Sequence, residues 1–421
     1  MRFGIFYELQ LPKPWSADDE QKLFSEALDQ IELADRLGVD YAWAAEHHFL
    51  DEYSHSSASD LLLAAAAART KRIRLGLGIR QVIPSYNHPA RTAETVSTLD
   101  LISNGRAEFG IGEGATRMEL DGFGVNVPVK REHALEAAEQ IANMMVMSPY
   151  PGFEGRSFSM PCRNVLPKPL QKPHPPMWMA CTNRESVKVA ARNGLGVLAF
   201  TFTDPDEAAQ WADIYYGIIR SEECVPLGHS VNPNIAMMTA FSLHHDADEA
   251  VRRGQLNFEF FGYAMAKLVR EDTVPGRTQL WERFLEERQH SRSHVAKGTL
   301  GGTFQASPGI GTPESFIEHM RTLERTGVDQ VIFLQQAGRM DHGDICRSLE
   351  LFGSEVLPTF AAERAEKDER KARELEPFIA AALERKRPMP ALADEDIPVV
   401  PASKPPLPEV AVGQEKQAAA S

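Results

Sequence analysis

Apolar and polar positions along the chain follow two alternating rhythms. A short apolar run, Arg2 to Tyr7, leads into a helical pattern from Asp18 to Leu37, with Leu23, Ala27, Ile31 and Ala34 on one face and Gly38 as its stop. The strand-then-helix unit returns as Val39 to Ala45 with Ala58 to Arg69, Ile73 to Ile83 with Pro89 to Ile102, and Arg106 to Ile111 with Arg131 to Met147. After Pro149, the stretch PYPGFEGRSFSMPCRNVLPKPLQKPHPP reads as a long connection, because its prolines continue neither a ladder nor a helix. Alternation resumes with Met177 to Ala180 and Arg184 to Arg192, Gly196 to Phe200 and Pro205 to Arg220, then Ile235 to Leu243. Asp329 to Leu334, with a helix from about Gly343 to Val356, completes the set. Eight strands alternating with helices predict an α/β fold of parallel βαβ units closed into a (β/α)8 TIM barrel, with an open doubly wound sheet as the alternative.

About 65 residues, 246–310, separate the seventh strand from the helix that starts at Thr312. That is too long for a plain loop. Its aromatics, Phe258, Phe260, Phe261, Tyr263, Trp281 and Phe284, predict an inserted helical pair with a satellite core, some of which could also cap a pocket. The barrel is thus expected over 1–360, a charged helical extension over 361–387 as a solvated arm or oligomer contact, and a Pro-rich, disordered tail over 388–421.

Composition narrows the function classes. The 421 residues are 43% hydrophobic and 25% charged, enough to bury a large core, and the net charge of −14 argues against nucleic acid and anionic membrane surfaces as partners. No apolar run reaches membrane-spanning length, and MRFGIFYE enters a strand pattern without a signal-peptide core, so a cytoplasmic protein is expected. Cys162, Cys181, Cys224 and Cys346 are scattered and read as reduced thiols.

In a parallel barrel the chemistry gathers at the C-terminal ends of the strands. Those ends carry Tyr7-Glu8, Glu46-His47-His48-Phe49, Arg80-Gln81, Gly110-Ile111-Gly112-Glu113-Gly114, Cys181-Thr182-Asn183 and Gln335-Gln336. A histidine at a strand end can exchange a proton near neutral pH while a neighbouring glutamate fixes its tautomer, and strand alternation points only one of His47 and His48 into the cavity. No HExxH spacing accompanies them, and no metal site is expected. The glycines at 110, 112 and 114 allow close backbone approach by a flat ligand or simply a tight turn. Ala180 to Asn183, opening a helix at Arg184, offers either an anion site or an ordinary N-cap.

Together these residues resemble the bacterial luciferase-like family of flavin-dependent monooxygenases. The likeness rests on MRFGIFYE, Gly38-Val39-Asp40, the Glu46-His47-His48-Phe49 signature, Pro84 to Pro89 with Arg91 and Glu94, and Asp100 to Arg106 running into Phe109 to Gly112. It resumes at Arg131, Pro176 to Thr182, Ala190 to Gly194, Gly311 to Glu314, Gly327 to Asp329 and Ser348 to Phe352, and covers residues 1 to about 360. The resemblance implies reduced FMN delivered by a separate NAD(P)H-dependent flavin reductase and O2 as co-substrate, forming a C4a-peroxide that oxygenates a small organic substrate. It also implies a homodimer or a heterodimer with a related barrel. It makes His47 the catalytic acid/base and places Glu46, Ile79, Arg80, Gly112, Glu113, Arg131, Ala180, Cys181 and Thr182 around the cofactor. Within that set Ile79-Arg80 falls at a non-proline cis peptide, residues 180–182 at the phosphate loop, and Arg131 beside the phosphate.

Phe6, Glu8, His48, Phe49, Phe200, Phe202 and Met237 are expected to line an apolar or aromatic substrate pocket. Glu113 departs from the family pattern, since luciferases carry a basic residue there. Either it turns toward the ring or a neighbour, with Arg117 or Arg131 supplying the charge, or the cofactor sits differently. A deazaflavin (F420)-dependent oxidoreductase and a non-catalytic flavin-binding barrel are the alternatives.

Overall fold

A computed structural model of the chain describes residues 1–200, 204–295 and 307–403. Eight strands, β1 (Arg2–Tyr7), β2 (Tyr41–Ala44), β3 (Arg74–Gln81), β4 (Ala107–Gly112), β5 (Met177–Cys181), β6 (Gly196–Ala199), β7 (Ile235–Thr239) and β8 (Gln330–Gln335), form a closed barrel. Each pairs in parallel with its sequence neighbour, and β8 closes onto β1 with Arg2 opposite Gln330 and Tyr7 opposite Gln335. The expected barrel is the observed one. Helices begin where the sequence caps them: Asp204 and Thr312 accept N–H bonds from the first turn, each ahead of a proline at the first helical position.

Side-chain parity divides the core into two shells. Phe3, Ile5, Leu75, Leu77, Phe109, Ile111, Val331 and Phe333 pack outward against the helices. Phe6, Trp43, Trp178, Leu198, Met238, Ile332 and Leu334 fill the barrel. The indoles of Trp43 and Trp178 meet edge to face at 5.3 Å, and a Cβ on Gly76 would overlap the Trp43 ring, so glycine there makes room for the plug.

Three segments differ from expectation. The Pro-rich connection contains an antiparallel hairpin, Tyr150–Glu154 with Ser159–Arg163. A two-stranded ribbon has only edges, so Pro151 and Pro161 fit where a central strand would reject them. The inserted segment does form a helical pair, Ala247–Arg270 and Leu280–Val295, but its aromatics are no satellite: Phe260, Phe261, Trp281 and Phe284 join the barrel-filling cluster. The C-terminal helix, Leu357–Arg385, is not a solvated arm. It buries Phe360, Leu375 and Ala382 and ties the N-terminal ends of the strands through Arg2 to Asp368 at 2.6 Å and Lys371 to Asp329 at 2.6 Å. Residues beyond 403 lie outside the described ones.

Phe360 stacks edge to face on Phe3 at 5.2 Å and lies under the Arg321 guanidinium at 4.5 Å. Phe360→Ala is therefore expected to cost about 3–5 kcal/mol in urea denaturation. A loss under about 0.5 kcal/mol would fit a solvated arm instead.

Candidate active site

The loop after β2 leaves the barrel at Ala45 and carries His47 across its C-terminal mouth. The imidazole Nδ1 lies 2.9 Å from Glu119 Oε1, and Nε2 lies 3.6 Å from Glu8 Oε2 at the end of β1. Glu119 comes from a short helix, Arg117–Gly122, in the segment after β4. Its carboxylate is held from three sides: by His47, by the Thr116 hydroxyl donating at 2.8 Å, and by the His48 N–H donating at 3.2 Å. An ionised Glu119 requires the proton on Nδ1, which leaves Nε2 as the atom that faces Glu8 and exchanges. Glu8 also accepts the Tyr53 hydroxyl at 3.2 Å on Oε1, while its Oε2 is buried with no hydrogen-bond partner.

The electrostatics follow from burial against charge. Burial alone would lower the His47 pKa, but the carboxylates of Glu8, Glu119 and Glu46 outweigh it and push it up to about 9. Burial raises Glu8 to about 7, against the pull of His47 and the Tyr53 hydroxyl. Burial would raise Glu119 too, yet His47 and the hydrogen bonds from His47, Thr116 and the His48 N–H hold it below the usual carboxylate range. The site therefore favours a buried imidazolium between one firmly ionised carboxylate, Glu119, and one, Glu8, that burial pushes toward its protonated form.

The remaining signature residues build the wall. His48 turns away from His47, donating from Nε2 to the Glu46 carboxylate at 3.0 Å and meeting the Phe123 ring at 4.8 Å. Glu46 faces inward along the mouth rather than into it, accepting the Gln81 N–H at 3.1 Å and the Asn87 amide at 2.9 Å.

The profile of the luciferase-like monooxygenase family matches residues 1–330. The chain belongs to that family. It is 23% identical over 377 residues to the flavin-dependent trigonelline monooxygenase, oxygenase component, of Acinetobacter baylyi, covering 87% of this chain and 98% of that one. Among solved structures it is similar to the monooxygenase RslO1 of Streptomyces bottropensis, with a TM-score of 0.68, 25% identity, and coverage of 86% of this chain and 100% of that one. It also shares the fold of the coenzyme F420-dependent tetrahydromethanopterin reductase of Methanopyrus kandleri, with a TM-score of 0.60, 24% identity, and coverage of 85% and 99%. Such relatives support an oxidoreductase.

In this luciferase-like chain the non-proline cis peptide is Gly78–Ile79, one bond before the expected Ile79–Arg80. Ile79 packs inside the barrel, where a Cβ on Gly112 would overlap it, so that glycine serves the Ile79 side chain. The Arg80 guanidinium reaches Asp60 at 3.2 Å and Asn87 at 3.2 Å, with Glu46 at 4.0 Å. Glu113 takes the Arg131 fork at 2.7 and 3.2 Å, with Lys130 at 3.8 Å; Arg117 instead pairs with Asp121. Ala180 faces the barrel interior, whereas Cys181 faces the helices, and burial drives its thiol up to about 12. At Thr182 and Asn183 the cap reading holds: both backbone N–H groups donate to Ser186 Oγ, at 3.1 and 3.2 Å.

The expected substrate pocket comes together in part. Phe6 and Phe200 meet at 5.0 Å inside the mouth. Phe49 is 52% exposed, stacked on Phe123 at its rim. Met237 points outward; its neighbour Met238 is the one inside, as strand parity requires. Phe202 lies outside the described residues. Glu119, the residue that sequence reasoning missed, had one signal: Thr116 and Glu119 stand at capping-box spacing, which marks a helix start without revealing that the carboxylate is buried on His47.

A cavity of about 860 Å³ opens at the other end of the barrel, beneath the C-terminal helix, lined by Arg2, Tyr41, Arg74, Trp178 and Lys371. Arg2, Arg74 and Lys371 are paired there with Asp368, Glu108 and Asp329, which makes the cavity a seam between the helix and the barrel.

The folded His47 pKa lies above its unfolded value, so the stability it confers is complete below about pH 6.5 and lost as pH rises through about 9. Glu119→Gln removes one of the three carboxylates that cause the rise, and the one that hydrogen-bonds the ring. The melting-temperature gap between wild type and this variant should thus be widest between pH 5 and 6.5 and narrow toward pH 9; a gap constant across that range would detach Glu119 from the His47 charge.

Proposed function

We propose that the chain is the oxygenase component of a two-component flavin-dependent monooxygenase, taking reduced FMN from a separate NAD(P)H-dependent reductase and using O2 on a small apolar or aromatic substrate. The observation that carries this reading is the buried His47 ring at the mouth, set between Glu119 Oε1 at 2.9 Å and Glu8 Oε2 at 3.6 Å. A flavin fits the donor set. Glu8 Oε2, Gln81 Oε1 and the Tyr86 hydroxyl are buried polar atoms at the strand ends without hydrogen-bond partners, suited to the N–H and carbonyl edge of a reduced ring. Arg131 and Lys130 face a single carboxylate, Glu113, leaving one positive charge for a phosphate. Reduced FMN, when bound, would supply the electrons that activate dioxygen.

The protein's own part is positional and electrostatic. His47 holds a proton at Nε2 and presents positive charge to an anionic reduced ring; Glu119 keeps the imidazole in orientation. Phe6, Phe200 and Ile79 supply apolar wall, and the aromatic face of the inserted pair keeps water out. The same reading carries with it a cytoplasmic dimer. Among the described residues no helix is long and apolar enough to cross a membrane. The second reading, hydride transfer with F420, is supported by the shared fold with the F420-dependent reductase and left open by Glu113, while Glu46-His47-His48-Phe49 argues against it.

Anaerobic fluorescence titration with reduced FMN and with reduced F420, followed by rapid mixing with O2, separates the two. The proposal expects preferential binding of FMN and a near-ultraviolet transient unlike oxidised flavin; preference for F420 with no oxygen reaction would replace it. His47→Ala should bind reduced FMN within a few-fold of wild type yet lose roughly 10²–10⁴-fold in coupled oxygenation. Near-normal oxygenation in that variant would remove His47 from the mechanism.

A further inference from the structure

We infer that Tyr53 is a positioning residue that joins the seating of the inserted helical pair to the acid/base site, acting through Glu8. Two adjacent side chains on the loop after β2 face two different parts of the molecule. Glu52, fully buried, accepts the N–H groups of Leu280 at 2.6 Å and Trp281 at 3.0 Å, where the second inserted helix begins, and of Lys13 at 3.1 Å from the loop after β1. Tyr53, next in sequence, donates its hydroxyl to Glu8, meets the His47 ring at 5.6 Å, and packs its other side on Phe261 of the first inserted helix at 5.6 Å. A shift of the inserted pair relative to the barrel therefore acts on the hydrogen bond that the Glu8 carboxylate accepts from Tyr53. The ionisable groups facing Glu8 and His47 are Tyr53 and Glu46 from the loop after β2 and Glu119 from the short helix; the inserted helix contributes the Phe261 ring. The arrangement makes Tyr53 the contact through which a shift of the helical pair Ala247–Arg270 and Leu280–Val295 is felt at the Glu8 carboxylate that faces His47.

The inference rests on His47 as the acid/base of the proposed function, but its test needs no flavin. Tyr53→Phe keeps the ring and removes only the hydroxyl. The His47 ring protons, followed by NMR against pH in the full-length protein, report both the Glu8 step and the His47 step. Losing the hydrogen bond should move the lower step, near 7 in wild type, upward by roughly 0.5–1 pH unit. Phe261→Leu, which loosens the inserted helix without touching the hydroxyl, should move that step in the same direction by less, and the double variant should move it no further than Tyr53→Phe alone. An unmoved lower step in Tyr53→Phe, or fully additive shifts in the double variant, would reduce Tyr53 to packing. A shifted step in a protein that binds no flavin would support the inference while defeating the monooxygenase reading.

Discussion

The mouth of this barrel is organised by a charge that must be neutralised where water cannot reach it. A buried imidazolium is tolerated only with carboxylates in contact, and His47 has two, from opposite sides of the ring. Glu8 arrives on the strand that starts the barrel and Glu119 on a helix more than seventy residues past the histidine, so the ring is held only when the barrel is closed. Glu119 is in turn pinned by Thr116 and by the peptide of His48, which ties the segment after β4 to the loop after β2. Fold and site thus share one constraint: the barrel ends must meet to keep the charge paired.

The layers below and above serve that arrangement. Trp43 and Trp178 fill the barrel beneath the mouth, and Gly76 stands where any side chain would displace the Trp43 indole. Above, Phe260, Phe261, Trp281 and Phe284 continue the same apolar column out of the barrel into the inserted pair. The titratable groups His47, Glu8 and Glu119 therefore sit at a polar seam within a continuous apolar stack, which is the setting in which a paired charge keeps its full strength. The C-terminal helix does the complementary work at the opposite end, packing Phe360 on Phe3 in the outer shell and setting Leu375 and a row of ion pairs beneath the barrel.

The barrel was legible because parallel strands and their helices each obey a local rhythm, and because polar residues interrupt the apolar runs at one end only. His47 and Glu8 were legible for that reason. Glu119 was not, since capping-box spacing describes the start of a helix and is silent on which distant ring the carboxylate meets. Met237 was placed in the pocket from proximity to a strand end; a single residue of parity puts it outside and Met238 inside. The mixed-charge composition of residues 361–387 concealed an apolar stripe wide enough to dock a helix, and charge counting alone could not assign Glu113 to Arg131, the cation it pairs with.

The most direct test of the account is the titration of His47 in the wild-type protein by NMR of its ring protons between pH 5 and 10. Two inflections are predicted, a lower one near 7 from Glu8 and a higher one near 9 from the imidazole itself. A single inflection near 6.5, the value of an unpaired histidine, would contradict the paired charge on which the rest of the site is built.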